Sequence, residues 1–115
     1  MKANNPTLEE IEGKILSSVE FVRDYLQLRF DGPTLTVFSL PSIRKSHEVV
    51  DSKDFRFRNC LCDLIGRIVL SATVRQGDGI DIQFNNATVI HISLLENDYR
   101  GPEAVTFRGS SLWVL

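Results

Sequence analysis

The sequence is poorest in the residues that usually announce a chemistry. Cys60 and Cys62 are the only cysteines among 115 residues. A bridge between positions two apart would be strained. Structural zinc sites favour C-x-x-C or wider spacing with a second Cys or His pair, which this chain lacks. The expectation is therefore two reduced thiols in a cytoplasmic chain and no metal. No apolar run approaches the roughly 20 residues that span a bilayer, and Met1-Lys-Ala-Asn-Asn-Pro-Thr leads into Leu-Glu-Glu-Ile-Glu, not a secretory apolar region. Membrane insertion is not expected.

An excess of charge of one sign is also missing. Thirteen basic and fifteen acidic residues give a net charge of −2, spread over both halves of the chain. Nucleic acid and anionic lipid, which demand a basic surface, are disfavoured as partners. There is no G-x-x-x-x-G-K-[ST] loop and no G-x-G-x-x-G turn, hence no phosphate cradle. There is no nucleophile-elbow motif to accompany the two histidines, His47 and His91. No catalytic residue and no cofactor are assigned. Only seven glycines and four prolines interrupt the chain, so it can fold as one domain over residues 1–115, long enough for a single core.

What the chain does have is a pattern that occurs twice. Residues 78–94 alternate Ile80, Ile82 and Phe84 with Asp81 and Gln83, turn at Asn85-Asn86-Ala87, and return through an apolar-rich run to Leu94. That is a β-hairpin. Fifty-four residues earlier, Asp24, Phe30, Thr34, Ser39 and Leu40 are identical to Asp78, Phe84, Thr88, Ser93 and Leu94. At an offset of 53, Leu8, Gly13, Ile15 and Ser18 match Leu61, Gly66, Ile68 and Ser71. Internal repeats are read at about 8–50 and 61–105.

The repeat decides an ambiguity. Ile15, Val19, Val22 and Leu26 fall at helical spacing, but the matching segment 67–75 is rich in β-branched residues and ends at a glycine turn, which favours a strand. The expected fold is α+β, mainly antiparallel β: two tandem three-stranded meanders with strands near 14–22, 25–30, 34–40, 67–75, 79–84 and 87–94. Each follows a short helix, and together they form a curled sheet or open barrel-like sandwich about a pseudo-twofold. The first six residues read as a loose tail, and Thr7-Leu-Glu-Glu10 as a capping box opening the first helix. Residues 41–58 read as an exposed, charged linker, and Ser110 to Leu115 as an edge strand or a partner-docking tail. The expected core is Ile15, Leu26, Leu28, Phe30, Phe38, Ile68, Ile80, Ile82, Phe84, Ile90 and Ile92.

The second half, from Leu64-Ile-Gly66 through Ile80-x-Ile82-x-Phe84 to Tyr99-Arg-Gly-Pro-Glu-Ala104, resembles a group of small uncharacterised bacterial proteins. They share a glycine start, an alternating hairpin ending in Phe, and a terminal G-P-E-A. The resemblance covers residues 61–109 and departs at Asn86, in a turn where the pattern usually has glycine. Some proteins of this kind resemble immunity proteins of bacterial toxin systems, or small partners of secreted effectors. The resemblance implies a binding role and carries over no catalytic residue.

Function is therefore expected in a non-catalytic protein-interaction module whose partner is a toxin, an effector or a second copy. The candidate contact residues lie where the halves differ or stay charged: His91 (matched to Val37 at the offset of 54), Arg44, Lys45, Glu48 and Trp113. Two alternatives remain open. One is a small-ligand binder or enzyme with a pocket near His91 and Glu103, Glu48 being the repeat counterpart of Glu103. The other is a homodimer paired through Trp113-Val-Leu115.

Overall fold

A computed structural model describes residues 6–115, and ten strands in it form two five-stranded antiparallel sheets. The expected N-terminal tail, apart from Pro6, lies outside the described residues. Strands β1 (Ser18–Val22), β2 (Tyr25–Arg29) and β3 (Thr34–Val37) make one meander. A short hairpin follows, β4 (Ser42–Lys45) and β5 (Glu48–Val50), then the six-residue helix α1 (Phe57–Cys62). The second meander is β6 (Val69–Arg75), β7 (Gly79–Phe84) and β8 (Val89–Ser93), and the chain closes with the hairpin β9 (Val105–Arg108) and β10 (Leu112–Val114).

Each sheet joins a meander from one half of the chain to a hairpin from the other. The first sheet runs β1-β2-β3-β9-β10 and the second β5-β4-β8-β7-β6. The expected curled or barrel-like closure does not form. Charged linker residues end up in strands, and the sheet divides in two. The reason lies in residues 41–58. Ile43 and Val50 are fully buried cross-strand partners, and a two-residue turn at Ser46-His47 (Ser46 φ 51°) connects their strands. Pairs this short carry too little periodicity to be read from sequence, yet burying two β-branched side chains contributes a few kcal/mol. The tail does become an edge strand, β10.

Both sheets feed one core. Leu26, Leu28 and Phe30 point inward from the first meander, Ile80, Ile82 and Phe84 from the second, and Leu35, Val37, Ile90 and Ile92 complete the layer. Alternation of period two sends their neighbours to solvent. The expected core holds except at three positions: Ile15 and Phe38 are only half-buried, Leu35 and Val37 being the inward residues of β3, and Ile68 is 41 % exposed. Ile68 faces Ile15 across an isolated antiparallel bridge that links the segments preceding the two meanders. Gly13 (φ 84°) and Gly66 (φ 91°) flank this bridge in the left-handed region, where a side chain is strained. Gly13 donates its N–H to the Val69 carbonyl, and Gly66 donates to that of Leu16.

The first helix is a single 3₁₀ turn, Glu9–Ile11. Thr7 Oγ1 accepts from the Glu9 N–H, but Glu10 does not return to complete a capping box. Its carboxylate instead accepts from the backbone N–H and hydroxyl of Ser110 at the far end of the chain, 2.9 Å away in each case. A long-range partner has displaced the local one. The second helix starts at Phe57, earlier than the matched segment at residue 61, because Phe57, Cys60 and Leu61 fall at i, i+3 and i+4 and all bury.

Candidate functional site

Sheet pairing builds a polar network on the outer face of the second sheet. In the ladder His91 of β8 lies between Asp81 of β7 and Ser42 of β4. Its Nδ1 is 2.7 Å from Asp81 Oδ1, and the other carboxylate oxygen, Oδ2, accepts from the Arg75 guanidinium at 2.6 Å. Arg75 also donates from Nε to Asp78 at 3.0 Å. Partial burial works to raise the Asp81 pKa, but hydrogen bonds from Arg75 and His91 outweigh it and hold the carboxyl below its ordinary value. An ionised carboxylate only accepts, so the Asp81 contact puts a proton on Nδ1 and leaves Nε2 as the nitrogen open to other groups. No hydrogen-bond partner for Nε2 is found among the described residues. The ring packs over Gly79, where a β-carbon would fall 2.8 Å from Cε1.

This register changes the expected match of His91. An offset of 54 pairs it with Val37, but the first hairpin leaves residues 30–33 between its last cross-strand pair and the second leaves residues 84–88. That extra residue shifts the return strand, so Val37 occupies the buried position of Ile92, and His91 the outer position of Thr36. Thr36 in turn accepts from Gln27, its cross-strand partner, at 3.1 Å. Gln27–Thr36 and Asp81–His91 are the same outer-face pair in the two meanders.

His91 also lines an open cleft of ≈ 740 Å³ between the start of β4, residues 51–53 and residues 97–100. Ser42, Ser93, Lys53, Asp98 and Arg100 share its wall. Glu103 does not: it lines a separate hollow of ≈ 420 Å³ with Asp24, Phe38 and Arg100. The structure therefore brings His91 together with Asp81 and two cations, and leaves Glu103 in its own cavity. Glu48 is remote in kind as well, being an ion-pair partner of Arg56 at 3.1 Å.

Arg44, Lys45 and Glu48 all sit on the β4–β5 hairpin, with Lys45 and Glu48 directly opposite one another. Lys45 Nζ lies 4.0 Å from the buried Cys60 sulfur. Arg44 faces outward across from Val49, which is 60 % exposed. Trp113 belongs to the other sheet. It stacks on Phe107 at 5.4 Å between centroids and donates its indole N–H to the Thr7 carbonyl.

The residue that sequence reading passed over is Phe55. It is 93 % exposed, whereas Phe57 is buried. It stands on a loop fixed by Arg56, which donates to both Asp54 and Glu48. The Arg56 side chain, then the Arg56 backbone N–H, bring the Asp54 pKa down to about 2. Period-two alternation would put residues 55 and 57 on one face, so the Phe-Arg-Phe-Arg run does not itself signal that the two rings part.

Among the described residues, no group of three or more His, Cys, Asp or Glu side chains is gathered for a metal, and no helix is long and apolar enough to cross a membrane. Fold and surface define a two-sheet antiparallel β domain. No family model, curated protein or solved structure matches the chain.

Proposed function

We propose that this chain is a cytoplasmic, non-catalytic protein-interaction module of the immunity type, binding a toxin or effector through the β4–β5 hairpin and the loop that follows it. Phe55 carries the reading. A fully solvated phenylalanine loses hydrophobic free energy unless something covers it, and interface cores are enriched in aromatic anchors rimmed by charge. Val49 adds apolar surface on the same hairpin, and Arg44, Lys45 and Glu48 supply the polar rim. The Arg56 ion pairs hold the loop in one shape, which lowers the entropic cost of docking.

The test is a photo-crosslinking phenylalanine analogue at position 55 in the native host, with position 70 as an exposed control. A single adduct formed at 55, absent at 70 and traced to one protein, is the expected result. Phe55→Ala then weakens binding of that purified protein tenfold or more. Equal labelling from both positions, or none from 55, ends the proposal. Self-association through Trp113-Val-Leu115 is the weaker alternative, since the indole is already engaged by Phe107 and Thr7.

The same reading treats the two halves as copies of one meander-plus-hairpin unit that exchange hairpins across the Ile15–Ile68 bridge. The strand orders of the two sheets support this by corresponding element for element. On this view the Asp81–His91 pair and the Phe55 loop are later, asymmetric additions to a symmetric frame.

A further inference from the structure

We infer that the cleft beside His91 is a binding site for a small organic oxyanion, a carboxylate or a phosphate ester. It shares the 51–53 loop and the start of β4 with the protein-docking face, but Phe55, Val49, Arg44, Lys45 and Glu48 do not line it. Three observations meet there.

First, the cleft's two carboxylates each have one oxygen engaged by a neighbour, while its two cations have no ion-pair partner among the described residues. Asp51 Oδ1 accepts from the Lys53 backbone N–H at 2.9 Å, and Asp98 Oδ2 accepts from Ser93 Oγ at 2.5 Å. Lys53 and Arg100 line the same cleft, and neither forms an ion pair among the described residues. An anionic ligand gives those two cations a partner, and arginine and lysine are the side chains best suited to oxyanions.

Second, His91 is presented in one orientation. The Asp81 carboxylate takes Nδ1, and Arg75 in turn fixes Asp81. The ring rests on Gly79, the one residue type that leaves room for it. Holding an imidazole by a carboxylate sets which nitrogen meets a ligand; here that nitrogen is Nε2, which accepts in the neutral ring and donates to an oxyanion once the ring carries its second proton.

Third, the size of the open cleft suits a metabolite. A cleft of ≈ 740 Å³ lies within the range of ordinary small-molecule sites, about 300–1,000 Å³. Lys53 and Arg100 come from loops on opposite sides of His91 in sequence, so only the folded chain assembles the three.

The test uses the full chain, ¹⁵N-labelled, titrated separately with inorganic phosphate and with acetate at constant ionic strength. Saturable shifts confined to the His91 ring nitrogens and the amides of 51–53 and 97–100 are expected in at least one arm, and the arm that saturates names the class. Lys53→Ala with Arg100→Ala should weaken that binding tenfold or more, and Arg100→Gln alone serves if the double variant unfolds. Shifts that grow linearly, or that appear equally around Arg44 and Arg108, mean an adventitious ion only and overturn the site. Unchanged affinity in the variants overturns it too.

Discussion

Gly79 and His91 are locked together on neighbouring strands: a β-carbon on residue 79 would lie 2.8 Å from the imidazole Cε1 and 3.2 Å from the Ile92 carbonyl oxygen. The first neighbour is a side chain that can swing, and the second is backbone that cannot. Gly79→Ala is therefore expected to turn His91 off Asp81. It should also destabilise the fold by about 1–3 kcal/mol, the usual cost of overpacking. Denaturant unfolding measures the second effect. The first is read from loss of the Nδ1 hydrogen-bond signature in the histidine ¹⁵N spectrum.

Asp54 gives a pH dependence with a definite sign. Its folded pKa is depressed to about 2 by Arg56, so its contribution is present above the unfolded carboxylate value and is lost as pH falls toward the folded one. The stability difference between the native chain and Asp54→Ala should hold from neutral pH down to about pH 4 and close as pH falls to about 2. Urea midpoints of the two proteins across that range check it. A gap that widens toward acid would contradict the Arg56 pairing.

Glu10 ties the first turn of the chain to the last one. It accepts from Ser110, and a β-carbon on Gly109 would meet the Glu10 carboxylate at 2.5 Å, so a side chain there pushes Glu10 aside. Glu10→Ala should free the β9–β10 hairpin, raising hydrogen-exchange rates at residues 112–114 by a factor of about ten, equivalent to one charge-assisted hydrogen bond, while β7 and β8 keep theirs.

Ile68 and Ile82 look alike in the sequence, and the structure separates them. Ile82 is fully buried, and Ile82→Ala should cost about 2–5 kcal/mol through lost burial and a residual cavity. Ile68 is 41 % exposed, so Ile68→Ala should cost less than about 1 kcal/mol. Paired chemical denaturation curves decide the matter.

Trp113 closes the second edge of the first sheet. Replacing it with Ala removes the contact with Phe107 and the hydrogen bond to Thr7. Because the indole is only half-buried, the expected loss is about 2 kcal/mol, below that of a fully buried Trp. If Trp113 instead anchored a dimer, the variant would halve the mass seen by light scattering.

Both meanders were legible because alternation of period two survives in their strands of five to seven residues such as Tyr25–Arg29 and Gly79–Phe84. The phase of the four-residue β3 was not, since Leu35 and Val37 are buried there and Phe38 is not. The apparent helix at residues 15–28 is strand from Ser18 to Val22 and again from Tyr25 to Arg29, as its match to residues 67–75 implied. The short hairpin inside 41–58 was not legible. Strands of three and four residues show too few alternations, and their charged outward positions look like loop. The contact residues divide the same way. His91 stood out as a lone histidine in an apolar run, but its partner Asp81 required the hairpin register, which one extra turn residue shifts.

By itself the sequence determined the local order of this protein: which segments alternate, where Gly13 and Gly66 relax the backbone, and that Phe30 and Phe84 face inward in the two meanders. Local sterics and side-chain periodicity act within a few residues, so they are written in the chain. Only the tertiary structure decided that each meander takes its fourth and fifth strands from the other half, that Glu10 caps Ser110 rather than its own helix, and that Lys53, His91 and Arg100 line one cleft while Phe55 stands clear of the core. These pairings join residues tens of positions apart. They are chosen by which apolar faces must cover one another, a competition that the whole fold settles.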